Sequence, residues 1–166
     1  FSVDNSDIED KLDEVQELFD RRPEEVETGL DVDDNSMLQL RKGCRLLEAA
    51  RHLIEENGYY TVVIEACFGS IERTLQFYLL ENDFLHPDEY IDHQAVYQQS
   101  HEAGLYNQEF RDKLVNLWRN NRSKSYYREG VGSQERAEKM LELAEEIHGH
   151  VLQLAGQSHE CICETG

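Results

Sequence analysis

The segment that decides the fold is YYTVVIEACFGSIERTLQFYLLEN, residues 59–82. Its apolar residues follow helical spacing and cover much of the helix circumference; they are Val62, Val63, Ala66, Phe68, Ile71, Leu75, Tyr78 and Leu79. A helix that is apolar on most sides must be surrounded by other helices, because each apolar side has to be covered. We therefore expect residues 59–82 to form the central helix of a bundle.

Amphipathic helices are predicted on both sides of this segment. One spans residues 37–58, with Ser36 as its N-cap and Gly58 as its stop, and three more fall within residues 89–104, 107–121 and 133–156. The last of these is bounded by Ser133 and Gly156. No stretch alternates with the period of a strand. The predicted fold class is all-α, an antiparallel bundle of five to six helices.

The chain divides into an extension, a bundle and a tail. Residues 1–35 hold a predicted helix, SDIEDKLDEVQELFDRR, followed by an acidic connector, and Ser6 with Glu9 forms a predicted capping box. The apolar face of this helix comprises Ile8, Leu12, Val15, Leu18 and Phe19. Residues 36–155 form the predicted bundle, and residues 156–166 a flexible tail. The length suits one domain with a real core.

The net charge restricts the classes of partner. Sixteen Lys and Arg against thirty-five Asp and Glu give a formal charge of −19, which repels nucleic acid at low ionic strength. In a halophilic cell an acidic surface is ordinary, and at molar salt the Debye length falls to about 3 Å. No apolar run approaches membrane-spanning length, and the first residues lack the features of a signal peptide. We expect a cytoplasmic protein from a salt-adapted organism, with no membrane partner.

One stretch departs from the acidic composition. WRNNRSKSYY, residues 118–127, lies where a helix should end. Arg119 and Arg122 are three residues apart on one helix face, so both guanidinium groups could meet one phosphate, and tyrosine rings could stack on bases. Alternatively, the cations only complement the negative end of a helix. The candidate RNA-binding or nucleotide-binding residues are Arg119, Arg122, Lys124, Tyr126, Tyr127 and Arg128.

Three segments together resemble the HEPN domain (higher eukaryotes and prokaryotes nucleotide-binding). They are LLEAARHLIEENGYYTVVIEA, DHQAVYQQSHEAGL and RNNRSKSYY, and the resemblance extends from about residue 36 to residue 155. It implies a small all-helical homodimer that often acts as an RNase. The motif of that RNase family begins with Arg and Asn, continues after a short spacing to His, and often ends in Tyr.

The resemblance assigns roles to four residues. Arg119 would bind the scissile phosphate and Asn120 would orient it, while Lys124 or Tyr126 occupies the place of the motif His. Lys is a poor base, since its ordinary pKa is about 10.4. We therefore expect an RNA-binding or nucleotide-binding module without the usual RNase catalysis. The alternatives are an active, metal-independent endoribonuclease toxin that uses Arg119 with Lys124 or Tyr126, and a structural dimerisation bundle.

Further expectations concern partners and metals. Some HEPN toxins pair with a minimal nucleotidyltransferase antitoxin that transfers AMP to the motif tyrosine, a role that falls on Tyr126 or its neighbour Tyr127. No cofactor and no metal site are expected, because the HECIC segment at residues 159–163 supplies too few ligands alone. Cys44 and Cys67 are predicted to be buried thiols. The histidines of the predicted helices, His93, His101, His148 and His150, are expected to be exposed or hydrogen-bonded.

Overall fold

The computed structural model describes residues 3–123, 132–156 and 162–163, and these ranges contain helices but no strand. The predicted all-α fold is therefore confirmed. The helices are α1 (Ser6–Asp20), α2 (Asn35–Glu55), α3 (Tyr60–Glu81), α4 (His93–Glu102), α5 (Gln108–Trp118) and α6 (Gln134–Ala155), and a π-helical turn at Arg119–Ser123 extends α5. The chain groups into two compact units, Phe1–Asp31 and Val32–Gly166.

The second unit is built around α3, as the sequence predicts. This helix packs against α2, α4 and α6, and α4 also packs against α5. Its fully buried apolar side chains meet those of the surrounding helices in one continuous core. The largest of these side chains are Phe68, Ile71, Leu75, Phe77 and Leu79 from α3, with Leu40 and Leu47 from α2 and Tyr97 from α4.

The helix α2 approaches α3 closely at Gly43. The Ser70 hydroxyl donates a hydrogen bond of 2.9 Å to the Gly43 carbonyl. A Cβ atom at position 43 would lie 2.9 Å from Thr74 Oγ1 and 3.3 Å from the Ser70 carbonyl oxygen. Glycine therefore allows this close approach between the two helices.

Two of the predicted helix starts are wrong in detail. Asp34, not Ser36, caps α2, and its carboxylate accepts from the Ser36 backbone N–H. Ser36 is instead buried, and its hydroxyl donates to the Glu81 carboxylate over 2.6 Å, which joins the start of α2 to the end of α3. The predicted Ser6 capping box is also absent, since Asn5 occupies the N-cap position of α1.

Both predicted ends of α6 are confirmed. The Ser133 hydroxyl accepts from the Arg136 N–H, and Gly156 ends the helix with a left-handed backbone at φ 68°.

None of the helices in the described part of the chain is long and apolar enough to cross a membrane.

The first unit contains α1, whose apolar face was predicted from its spacing. Within the described residues of this unit, α1 buries no side chain. Phe19 is 82% exposed, and the other members of that face are also exposed: Ile8, Leu12, Val15 and Leu18.

Replacing Gly43 tests the close packing of α2 on α3. We predict that Gly43→Ala lowers the free energy of unfolding by about 1–3 kcal/mol, because the added methyl group overpacks a core contact. The matched control is Gly149→Ala in α6, where a Cβ would meet nothing within 4 Å. That control should be stabilising by about 0.5–1 kcal/mol, since alanine is the better helix former. Denaturant titration of both variants measures the difference, and an equal gain in both would contradict the packing.

Candidate functional site

Three polar side chains of α3 are buried: Ser70, Glu72 and Thr74. Successive members are two residues apart, which is about 200° around a helix, so Glu72 points to one side and the other two to the opposite side. Ser70 and Thr74 bond to groups in α2 and α6, whereas Glu72 bonds to side chains of α4. These bonds satisfy polar groups whose burial would otherwise be costly.

Among the residues that the structure describes, Glu72 is the one buried carboxylate, at 5% exposure. One of its oxygens, Oε1, contacts His93 Nδ1, and the other accepts a hydrogen bond of 3.0 Å from the Tyr97 hydroxyl. Both partners come from α4, one turn apart. Because an ionised carboxylate can only accept a hydrogen bond, we predict that the His93 ring carries its proton on Nδ1 and presents a lone pair at Nε2.

His93 connects this carboxylate to the end of α5. Its ring stacks on Trp118, with centroids 5.9 Å apart and planes inclined by 26°. Tyr97 packs against the same indole at 6.3 Å. The His93 side chain is nevertheless 55% exposed, so solvent and ligands can reach it. The indole N–H of Trp118 is buried and makes no hydrogen bond within the described part of the chain.

A cleft of about 470 Å³ opens beside the Glu72–His93 pair, and both residues line it. Its other walls come from α2, α3 and the segment between α3 and α4. Arg73 supplies a cation there and donates to Gln39 over 2.8 Å. The volume of the cleft falls within the range of small-ligand sites, about 300–1,000 Å³, and its lining is mainly polar.

The sequence-predicted site begins directly after Trp118. Arg119 and Asn120 are exposed and lie in the π-helical turn, a form of helix that is frequent at functional sites. Asn121 in the same turn donates to the Leu117 carbonyl over 3.0 Å. Outside the described residues lie Lys124, Tyr126, Tyr127, Arg128 and the side chain of Arg122. Arg119 and Asn120 therefore follow directly, along the chain, the residue whose ring stacks with His93.

The sequence analysis did not identify Glu72 as a residue of the candidate site. A signal was present, since Glu72 is a charged residue next to the buried Ile71 in the most apolar helix of the chain. The pairing itself was not visible, because His93 is 21 residues away and lies on another helix. Of the four helical histidines predicted to be exposed or hydrogen-bonded, the remaining three are hydrogen-bonded: His101 to the Tyr106 carbonyl, His150 to the Leu105 carbonyl and His148 to Thr74.

A second cluster lies on the opposite side of α3. His148 is buried, and its Nδ1 is 2.8 Å from Thr74 Oγ1. Its Nε2 lies 3.6 Å from Cys44 Sγ and 3.1 Å from Cys163 Sγ. These two sulfur atoms and the imidazole form a compact group of soft donors that could hold a metal ion.

Cys67 is the other buried cysteine that the sequence predicted correctly. Burial raises the pKa of its thiol to about 12, and the negative charge of Glu145 adds to the shift. A thiol of this kind stays protonated and is a poor ligand or nucleophile. Cys67 is therefore a structural core residue.

Comparison with known proteins identifies a family without adding a function. No curated protein matches the chain, and no solved structure matches it. The HEPN resemblance is not addressed by these comparisons and stays a prediction. Residues 3–163 match the sequence profile of a domain of unknown function, DUF8154. Because this match covers nearly the whole chain, the protein belongs to the DUF8154 family.

Proposed function

We propose that this protein is a HEPN-like module that binds RNA or nucleotide where the start of α4 meets the end of α5. The observation that carries the proposal is the His93 ring, which is fixed by the buried Glu72 and stacked on Trp118, the residue immediately before Arg119. The proposed setting is the cytoplasm of a salt-adapted cell, where the module acts as a homodimer.

The binding surface combines a cation with aromatic rings. Arg119 is exposed and carries a planar guanidinium group that suits phosphate oxygens. The exposed part of His93 offers a ring on which a base can stack, and the cleft beside it supplies Arg73 and amide side chains. Stacking matters in this protein, because high salt weakens binding that depends on phosphate charge.

A minimal nucleotidyltransferase is the proposed protein partner, in a toxin–antitoxin or defence system. In this proposal Tyr126 or Tyr127 receives the AMP group, and both residues lie outside the described ranges. Both tyrosines follow Arg119 closely in the chain, which supports one shared surface for binding and modification. The intact mass of the purified protein reports whether an adenylate is attached.

Binding can be measured through Trp118, the only tryptophan of the chain. We predict that its fluorescence changes when a short single-stranded RNA of mixed sequence is titrated at moderate and molar salt. Arg119→Ala should weaken binding by about tenfold, which corresponds to about 1.4 kcal/mol, since a charge-assisted phosphate contact is lost.

Arg45→Ala is the matched control, because it removes the same charge from α2, where Arg45 pairs with Glu48. This control should bind RNA like the original protein. Equal affinities for both variants would contradict the proposed surface. A folded protein with no affinity for RNA or mononucleotides would leave the structural dimerisation bundle as the better explanation.

RNA cleavage is a second candidate function, favoured by the pairing of His93 with Glu72. The family motif lacks its histidine here, where Lys124 or Tyr126 stands instead, and His93 offers an imidazole from another helix. In the proposed reaction, His93 Nε2 takes the proton of a 2′-hydroxyl while the 2′-oxygen attacks the adjacent phosphorus. The bond from phosphorus to the 5′-oxygen breaks, the leaving oxygen takes a proton from solvent, and a 2′,3′-cyclic phosphate remains.

The cleavage proposal predicts a specific dependence on one histidine. His93→Asn should lower the cleavage rate at saturating RNA by about 100-fold or more, the usual contribution of a positioned proton carrier. RNA binding should weaken by no more than about tenfold, because one stacking ring is lost while the Arg119 contact remains. His52→Asn is the control, since His52 is 75% exposed on α2. Cleavage is assayed in EDTA with the products resolved by mass. Undiminished cleavage by His93→Asn, together with loss in Lys124→Ala or Tyr126→Phe, would assign the role to the motif position instead.

A further inference from the structure

Three soft metal-binding side chains converge from distant parts of the chain. Cys44 belongs to α2, His148 to α6, and Cys163 to the short described segment near the C-terminus. Their sulfur and nitrogen atoms all lie within 4.8 Å of one another. Cys44 and His148 are buried, and Cys163 is partly exposed.

The separations approach those of a tetrahedral zinc site. With Zn–S bonds of about 2.3 Å and Zn–N bonds of about 2.0–2.1 Å, sulfur and nitrogen ligands lie roughly 3.6 Å apart. Cys44 Sγ is 3.6 Å from His148 Nε2, and Cys163 Sγ is 3.1 Å from it. A shift of about half an ångström would bring the Cys163 sulfur to the same separation from Nε2.

Thr74 sets the orientation of the imidazole. It contacts His148 Nδ1 at 2.8 Å, from the side of the ring opposite the two sulfur atoms. Metal-binding histidines commonly use their second nitrogen in this way, which fixes the ring and the tautomer. With the proton on Nδ1 and donated to Thr74, Nε2 presents its lone pair to the same space as both sulfurs.

Arg51 holds the third ligand in place. Its guanidinium group donates to the Cys163 carbonyl over 3.3 Å and to the Glu145 carboxylate over 3.0 Å. Ile162, beside Cys163, packs against the bundle core. The segment that carries Cys163 is thus anchored to α2 through its backbone carbonyl and to the core through Ile162, in addition to the contact of the cysteine sulfur with His148.

We propose that Cys44, His148 and Cys163 form a structural site for Zn²⁺ or a similar soft divalent cation, which fastens the C-terminal segment to the bundle. Two thiolates and an imidazole are the donor set that such cations prefer. On binding, both thiols release their protons to solvent and each sulfur bonds the metal. Water or a further side chain completes the coordination.

The test uses the full-length protein, purified without an affinity tag, stripped of metal and kept reduced. Co²⁺ is added as a spectroscopic probe, Zn²⁺ then competes for the site, and native mass spectrometry counts the metal. We expect one ion per chain, cobalt absorption typical of thiolate ligands in tetrahedral geometry, and a higher melting temperature with Zn²⁺ than without.

Variants identify the ligands. Cys163→Ser and Cys44→Ser should each weaken Co²⁺ binding by at least tenfold, and Arg51→Ala should weaken it less. Cys67→Ala is the matched control, because it removes a buried cysteine outside the cluster and should keep the cobalt spectrum. Circular dichroism of each metal-free variant establishes that it is folded. Because Cys163 is only partly buried, its substitution should disturb the core less than substitution of the buried Cys44.

Three results would overturn the proposal. The first is a folded, reduced protein that takes up no metal. The second is a spectrum that survives Cys44→Ser but disappears in Cys161→Ser, which would place the metal on the HECIC segment alone. The third is a mass two hydrogens lower in the non-reduced protein with no metal bound, which would indicate a disulfide between Cys44 and Cys163.

Discussion

The burial of the Glu72 carboxylate is the constraint on which the arrangement around the candidate site depends. A carboxylate at 5% exposure within an apolar core must be compensated, and Tyr97 and His93 provide that compensation from α4. Loss of one partner of a buried charge typically costs about 3–5 kcal/mol. The same contacts fix α4 against α3 and set the position of the His93 ring over Trp118. The burial of Glu72 therefore accounts both for the packing of α4 on α3 and for the position of the His93 ring.

The central helix serves two sites on opposite sides. Glu72 faces α4 and holds His93, whereas Thr74, two residues later, faces α6 and holds His148. In both cases a polar side chain of α3 contacts Nδ1 of an imidazole and leaves Nε2 for another task. One imidazole is partly exposed beside a cleft, which suits ligand binding, and the other is buried beside two sulfur atoms, which suits a metal. Burial and the neighbouring atoms thus separate two roles for the same type of side chain.

Helical spacing was enough to predict the fold class and the central position of α3. A helix that is apolar on most sides is stable only where other helices surround it. The sequence also predicted the ends of α6 at Ser133 and Gly156, where local capping chemistry decides. The N-cap of α2 was predicted wrongly. The Ser36 hydroxyl bonds to Glu81, 45 residues further along the chain, and Asp34 caps the helix instead. Both clusters of the candidate sites were missed for the same reason: their members come from different helices, and sequence spacing carries no information on which helix faces meet.

The most direct test of the role of Glu72 is the protonation pattern of the His93 ring, read from a long-range ¹H–¹⁵N spectrum of protein labelled at histidine. At a pH well above the ordinary histidine value of about 6.5, we predict that His93 carries its proton on Nδ1 and has a bare Nε2. In Glu72→Gln the side-chain amide can donate to Nδ1 while its oxygen still accepts from Tyr97, so the proton should move to Nε2. The exposed His52 should be unchanged between the two proteins. A His93 ring already protonated at Nε2 in the original protein, or indifferent to Glu72→Gln, would contradict the claim that Glu72 orients the site.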